Sequence, residues 1–284
     1  MSHYNVEKST LKNLIGFGVA GNFAGHLEQA GETPDFVKVK TESTSAPKGI
    51  FPYYVTGHSE QVGVYPFSST EIRYPMDLAD NAHLQAEPEV CVLFDVTYES
   101  GKVFALTPKA FAAFNDCSIR KPGAKKISEK KNWGPATKGV SDTFIELTSL
   151  DTGCELDNFR ITSFLKRDST LHPYGQDSSV TTYSYFHKQL NDWMIDKLSQ
   201  QKDFGPLENL QNIISQANFP KQIMISLGAT CYTEFGETVF LEPGDELFIY
   251  AYDATQNTAE DVLAHINGQC KELNNSSILH QKIV

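Results

Sequence analysis

The chain has 284 residues, 40% of them hydrophobic and 21% charged, which is the balance of an ordinary soluble globular protein long enough to bury a sizeable core. A formal net charge of −11 argues against a nucleic-acid partner, whose phosphates call for basic surface. No 18-residue apolar run exists, and the opening MSHYNVEKSTLKNL lacks a basic-then-apolar leader, so no membrane partner is expected and the expected location is cytoplasmic.

In chain order, residues 13–21 (NLIGFGVAG) carry Gly16-x-Gly18-x-x-Gly21 after a short apolar run. That spacing matches a dinucleotide fingerprint and raises an NAD(P)-dependent oxidoreductase as the least favoured reading. The fingerprint needs a long helix after it. Here Asn22-Phe23-Ala24-Gly25-His26 follows and Pro34 arrives soon after, so the glycines are expected to form a tight turn that aims His26. Between 35 and 75, the β-prone runs Phe36–Val39, Ile50–Val55 and Val62–Tyr65 alternate with Pro, Gly and Ser, the pattern of a winding β-rich region.

Glu87 and Glu89 stand at the head of the apolar run Val90–Val96. In a strand they share a face, with Cα atoms roughly 6.6 Å apart at about 3.3 Å per residue. Carboxylates that close call for a positive charge between them, typically a hard divalent cation. Read without a ligand, they are solvated charges at a strand entrance. A second apolar run, Ala110–Phe114, leads to Asp116 and, four residues on, Arg120. Five scattered cysteines without a C-x-x-C pair support neither a zinc ribbon nor a disulfide framework, and Cys91 and Cys117 read as small core residues. Cys117 lies beside Asp116 but has no evident histidine partner for a nucleophilic role.

The lysine-rich stretch Lys121–Lys131 reads as a mobile, solvated loop, with a lid as the alternative. Asp142–Leu147 and Phe159–Leu165 continue the β pattern. Tyr183–Gln201 reads as a helix with Phe186, Leu190, Trp193, Met194 and Leu198 on one face, and Pro206–Ala217 as a shorter one. Residues 223–228 form a strand; residues 238–250 read as strand, Pro243-Gly244 turn and strand; Thr258–Gly268 is a capped helix with Asp261 three residues after the cap.

Glu87-x-Glu89 before a hydrophobic strand, then Asn115-Asp116-x-Ser118-x-Arg120, then Lys138-Gly139 with Asp142-Thr143-Phe144, resembles the fumarylacetoacetate hydrolase family. Asn22-Phe23-x-x-His26, with Pro34 and Phe36-x-Lys38 after it, and Phe240-Leu241-x-Pro243-Gly244-Asp245 are similar to further landmarks of that family. The resemblance spans about residues 15–250. It implies a β-rich α+β fold, a twisted β-roll with peripheral helices, expected here as one domain over 1–284 in which about 1–70 contributes the histidine loop.

The resemblance also implies a homodimer and a site in which Glu87, Glu89 and Asp116 ligate Mg²⁺ (or Mn²⁺ or Ca²⁺). Lys138 and Arg120 would offset substrate charge, Asn22 and Thr230 would help bind substrate, and His26, oriented by Glu28 or Glu32, would move a proton. The substrate class implied is a small anionic oxo-acid, a 2-keto or 1,3-diketo carboxylate, subject to carbon–carbon hydrolysis, decarboxylation or isomerisation. The family's Gly-Thr-Pro is replaced by Gly228-Ala229-Thr230, and its histidine-paired Glu is displaced to Glu28 or Glu32. These departures support the alternative of a non-catalytic binding or regulatory protein on the same fold.

Overall fold

The computed structural model describes residues 2–76, 83–121, 123–269 and 272–284. The fold is β-rich α+β and grows from one long hairpin. Pro88–Glu99 pairs antiparallel with Lys102–Asn115 around Ser100 and Gly101, both at positive φ (50° and 74°). Two such residues suit the tight loop whose backbone twist matches that of flanking strands. The inner half of the hairpin is buried on both faces, as the unbroken apolar runs Val90–Phe94 and Ala110–Phe114 require.

Gln222–Ser226 adds antiparallel to Pro88–Glu99, Ile15–Ala20 adds parallel to that strand, and Gly49–Val55 closes this side. On the other side Lys102–Asn115 pairs with Phe144–Glu146 and Lys138–Val140. A second sheet runs Thr170–Ser179, Phe159–Arg167, Glu246–Asp253, Ser276–Ile283 and Glu71–Ile72. One apolar cluster, with Phe94 and Phe111 from the first sheet and Phe159 and Ile249 from the second, is common to both. The helix His187–Gln200 presses Leu190, Trp193, Met194 and Leu198 into that cluster. No helix among the described residues is long and apolar enough to cross a membrane.

Several sequence expectations are corrected. Phe36–Val39 is not a strand: Pro34 opens a 3-10 turn over Thr33–Phe36. Val62–Tyr65 gives way to a 3-10 turn over Gln61–Gly63. The strand expected from residue 238 to the Pro243-Gly244 turn does not form: residues 239–242 follow a short helix, Glu234–Thr238, capped by the Thr233 hydroxyl, without regular structure. The long helix begins at His187 rather than Tyr183. The helix Ala259–Ile266 has the expected capping box between Thr258 and Asp261.

The glycines at 16 and 18 do not turn. Both lie inside the strand Ile15–Ala20, where they accept aromatic rings from the neighbouring strand. A Cβ on Gly16 would lie 2.1 Å from Tyr53 Cε2, and one on Gly18 2.4 Å from Phe51 Cζ. Gly21 (φ +72°) begins the turn, and Gly25 (φ +87°) sets the start of the short helix His26–Gln29. A nucleotide fingerprint needs its glycines at a helix N-terminus, so ring packing accounts for the first two. Gly16→Ala is expected to destabilise the protein by about 1–3 kcal/mol, the range for overpacking a filled core. Urea unfolding measures it, and a change below about 0.5 kcal/mol would mean that the Tyr53 ring can swing aside.

Candidate active site

The open end of the long hairpin gathers the acids. Pro88 lies opposite Asn115 in the ladder, so Glu87 and Asp116 face each other just beyond it. Asp116 donates its backbone N–H to Glu87 O (3.0 Å), and the Glu87 N–H is accepted by Asn115 Oδ1 (3.1 Å). Period-two alternation brings Glu89 onto the same face as Glu87. Glu87, Glu89 and Asp116 are all buried, and each offers a carboxylate oxygen within 4.8 Å of the others.

Cations surround them. Lys131 Nζ lies 2.6 Å from Glu87 Oε2 and 2.7 Å from Asp116 Oδ2. Lys138 Nζ lies 3.1 Å from Asp116 Oδ1 and donates to Cys117 O. Arg120 Nη1 reaches Glu87 Oε1 (2.8 Å) and Glu32 Oε1 (2.9 Å), while Nε bonds Gln85 Oε1 and Nη2 bonds the Tyr232 hydroxyl. Lys130 completes the arc on Glu32 and Asp35, both at 2.9 Å. Glu87 Oε1 and both Asp116 carboxylate oxygens make no hydrogen bond of normal geometry and are held by these ion pairs alone.

The charges sort the acids. Burial pushes the Glu87 carboxyl up, but Lys131 and Arg120 outweigh it and hold Glu87 well below the usual carboxylate range. Glu89 accepts the Gly228 N–H (2.9 Å). Burial, then the like charges of Asp116 and Glu87, push Glu89 well above the ordinary range. Lys131 is buried too, yet Asp116 and Glu87 raise it, so it stays charged. Burial lowers Lys138 and pushes the Cys117 thiol up to about 12, which removes Cys117 as a nucleophile at neutral pH.

His26 stands beside this cluster, with Nδ1 3.0 Å from the Thr230 carbonyl. A carbonyl only accepts, so Nδ1 carries the proton and Nε2 keeps its lone pair in the neutral ring. Burial lowers the His26 pKa further, against Glu87 and Glu32 and with Arg120 and Lys131. Thr230 thus meets His26 through its backbone, and its hydroxyl faces Pro88 O at 3.5 Å. Asn22 donates both amide hydrogens to Tyr185 O and Leu227 O and accepts from the Tyr185 N–H. It therefore braces the strand end that carries Gly228. Glu28 is exposed and stands apart from His26, and Glu32 is the acid in the cluster.

The lysine-rich segment departs most from expectation. Ile127–Lys130 forms a 3-10 turn, and Lys126, Lys130 and Lys131 reach inward to carbonyls and carboxylates. These inward ion pairs replace the solvated loop. Lys131 carried no sequence signal beyond its charge, whereas Glu32 was one of the two acids expected beside His26. A separate cluster, Cys154, Asp157 and His187, was equally hidden by its spacing. There the His187 and Asp157 side chains close on each other at 2.5 Å.

The profile of a family described as a family of unknown function (DUF5718) matches residues 32–283. The chain belongs to that family. No curated protein matches it. Among solved structures, Cg1458 with an inhibitor is similar to this DUF5718 chain with a TM-score of 0.55 and 16% identity, over 95% of this chain and 76% of that one. A 2-keto-3-deoxyarabinonate dehydratase gives 0.51 and 13%, over 95% and 72%. A putative fumarylacetoacetate isomerase/hydrolase from Oleispira antarctica gives 0.51 and 12%, over 95% and 93%. At these identities the likeness is one of fold, and the fold of the DUF5718 chain is that of the fumarylacetoacetate hydrolase family.

A pH experiment tests the electrostatics of Glu89. An unfolded glutamate ionises near about 4.3, whereas folded Glu89 keeps its proton to higher pH. Below the unfolded value the two states bind protons equally. Above it only the unfolded state releases its proton, costing the fold about 1.4 kcal/mol per pH unit until the folded value is reached. In EDTA, Glu89→Gln is therefore expected to melt above the wild type at pH 8 and level with it near pH 4. A difference that stays constant with pH would show that Glu89 is ionised in the fold.

Proposed function

We propose that the protein is an enzyme acting on a small anionic oxo-acid, a 2-keto or 1,3-diketo carboxylate, by carbon–carbon hydrolysis, decarboxylation or isomerisation. The observation that carries this reading is the convergence of three carboxylates, two flanking cations and a neutral histidine in one buried cluster. The carboxylates also fit a hard divalent ion. All are oxygen donors, they lie within 4.8 Å of one another, and three of their oxygens are held by ion pairs only. Glu87, Glu89 and Asp116 would hold Mg²⁺, Mn²⁺ or Ca²⁺, which supplies Lewis-acid polarisation of a keto or enolate oxygen when bound.

The chain's own groups divide the remaining work. Arg120 is fixed by four oxygen acceptors and stays charged, so it can orient a carboxylate but not give up a proton. Lys138, its ammonium destabilised by burial, sits against Asp116 to offset negative charge that builds up on the substrate. His26 is the group able to take a proton, at Nε2, with Thr230 O fixing its tautomer.

Two observations favour a binding protein without turnover: Lys131 lies among the carboxylates, and Gly228-Ala229-Thr230 replaces the Gly-Thr-Pro of the fumarylacetoacetate hydrolase family. A screen of oxaloacetate and acylpyruvates with Mg²⁺ or Mn²⁺ separates the two readings, since metal-dependent turnover supports an enzyme and its absence supports the binder. In the enzyme, His26→Ala should lower turnover about 10²–10⁴-fold, the usual loss of general acid–base help, with metal affinity near wild type. A mutant with full turnover, or one that loses the metal, would refute the assignment. Glu87→Gln with Glu89→Gln should abolish Mg²⁺-dependent thermal stabilisation, because an added ion stabilises only through sites present in the folded state. Stabilisation that survives the double substitution places the ion elsewhere.

A further inference from the structure

Lys131 reaches the carboxylates from the end of the Ile127–Lys130 turn, whose own contacts hold it down. Ile127 is buried and donates its N–H to Pro206 O. Lys126 Nζ bonds Asp203 Oδ1, Gly205 O and Leu207 O, and Lys130 bonds Glu32 and Asp35. From this anchored base Lys131 extends until Nζ touches Glu87 and Asp116 and lies 4.9 Å from the Phe51 ring centroid, at 2% exposure. A lysine ammonium is a compact point charge on a flexible stem. It bridges two of the three acids that a divalent ion would bridge.

We propose that Lys131 is a tethered cation that competes with a divalent metal for Glu87 and Asp116. The site therefore exchanges between a lysine-held form and a metal-held form. The proposal rests on the reading of the trio as a metal site. Its logic is that two charges cannot share the space and neither can simply leave. Removing the ammonium leaves Glu87 Oε2 and Asp116 Oδ2 buried without a partner and two acids with one cation fewer between them, which is unfavourable, so withdrawal is tied to the arrival of another cation. The flanking cations Arg120 and Lys138 meet different oxygens, Glu87 Oε1 and Asp116 Oδ1, and can stay in place through the exchange. A ligand that must displace a resident group binds more weakly by the fraction of molecules in the open form.

The test is Mn²⁺ binding to the full chain after EDTA treatment, followed by electron paramagnetic resonance of the free ion, for wild type, Lys131→Met and Lys131→Ala. Met keeps the stem without the charge, and Ala leaves room. Circular dichroism checks that each variant is folded. Both variants are expected to bind Mn²⁺ at least about tenfold more tightly than the wild type, as for a lysine-held form favoured by ten to one or more. A wild type that binds no Mn²⁺ beside variants that do also supports the tethered cation, while it removes the metal-dependent reading of function. Equal affinities overturn the tethered cation and leave that reading standing; no binding by any form overturns both. Acetylation of the wild type, read by mass spectrometry, tests the same exchange without substitution. Lys131 should be protected in EDTA and modified at saturating Mn²⁺, and protection that persists with the metal bound overturns the proposal.

Discussion

The structure depends on burying Glu87, Glu89 and Asp116 together. Three carboxyl groups that close cannot all ionise in an apolar interior unless positive charge is supplied at the same place. The chain answers in two ways: burial and its like-charged neighbours push Glu89 toward its neutral form, and Arg120, Lys131 and Lys138 ring the other two. Each cation needs its own support, so Arg120 recruits Gln85, Glu32 and Tyr232, and Lys130 joins at Glu32. A network of this kind contributes little to stability over a well-packed apolar core.

Much of that frame was legible in the sequence, because strand periodicity and local landmarks are short-range. The alternation of Glu87 and Glu89 before an apolar run fixes their common face, and the return of the chain at Asn115 brings Asp116 opposite. The helices at His187–Gln200 and Ala259–Ile266 show their apolar stripe or capping box directly. The first two glycines misled because a strand with rings packed over it and a phosphate-binding turn select the same residue for different reasons.

What sequence could not supply was long-range and made by the backbone. His26 takes its tautomer from a carbonyl at position 230, which any residue there would provide. Glu28 lies on the exposed face of the short helix His26–Gln29, while Glu32 lies past that helix and folds in. A lysine-rich run ordinarily reads as solvated surface. Only the inward set of the Ile127–Lys130 turn shows that the Lys130 and Lys131 ammonium groups are internal.

The hairpin loop at Ser100-Gly101 stands at the far end of the Pro88–Glu99 strand, roughly 35 Å from Glu89 at about 3.3 Å per residue. Yet it acts as the indexing pin for the whole cluster. The loop and the two bulges near Leu93 and Thr97 together decide which residues arrive opposite Asn115. One residue of slippage would bring Val90 to the place of Glu89 and turn the acid toward the opposite face. An insertion in this remote, solvent-side turn would then scatter the acids without touching any residue of the cluster.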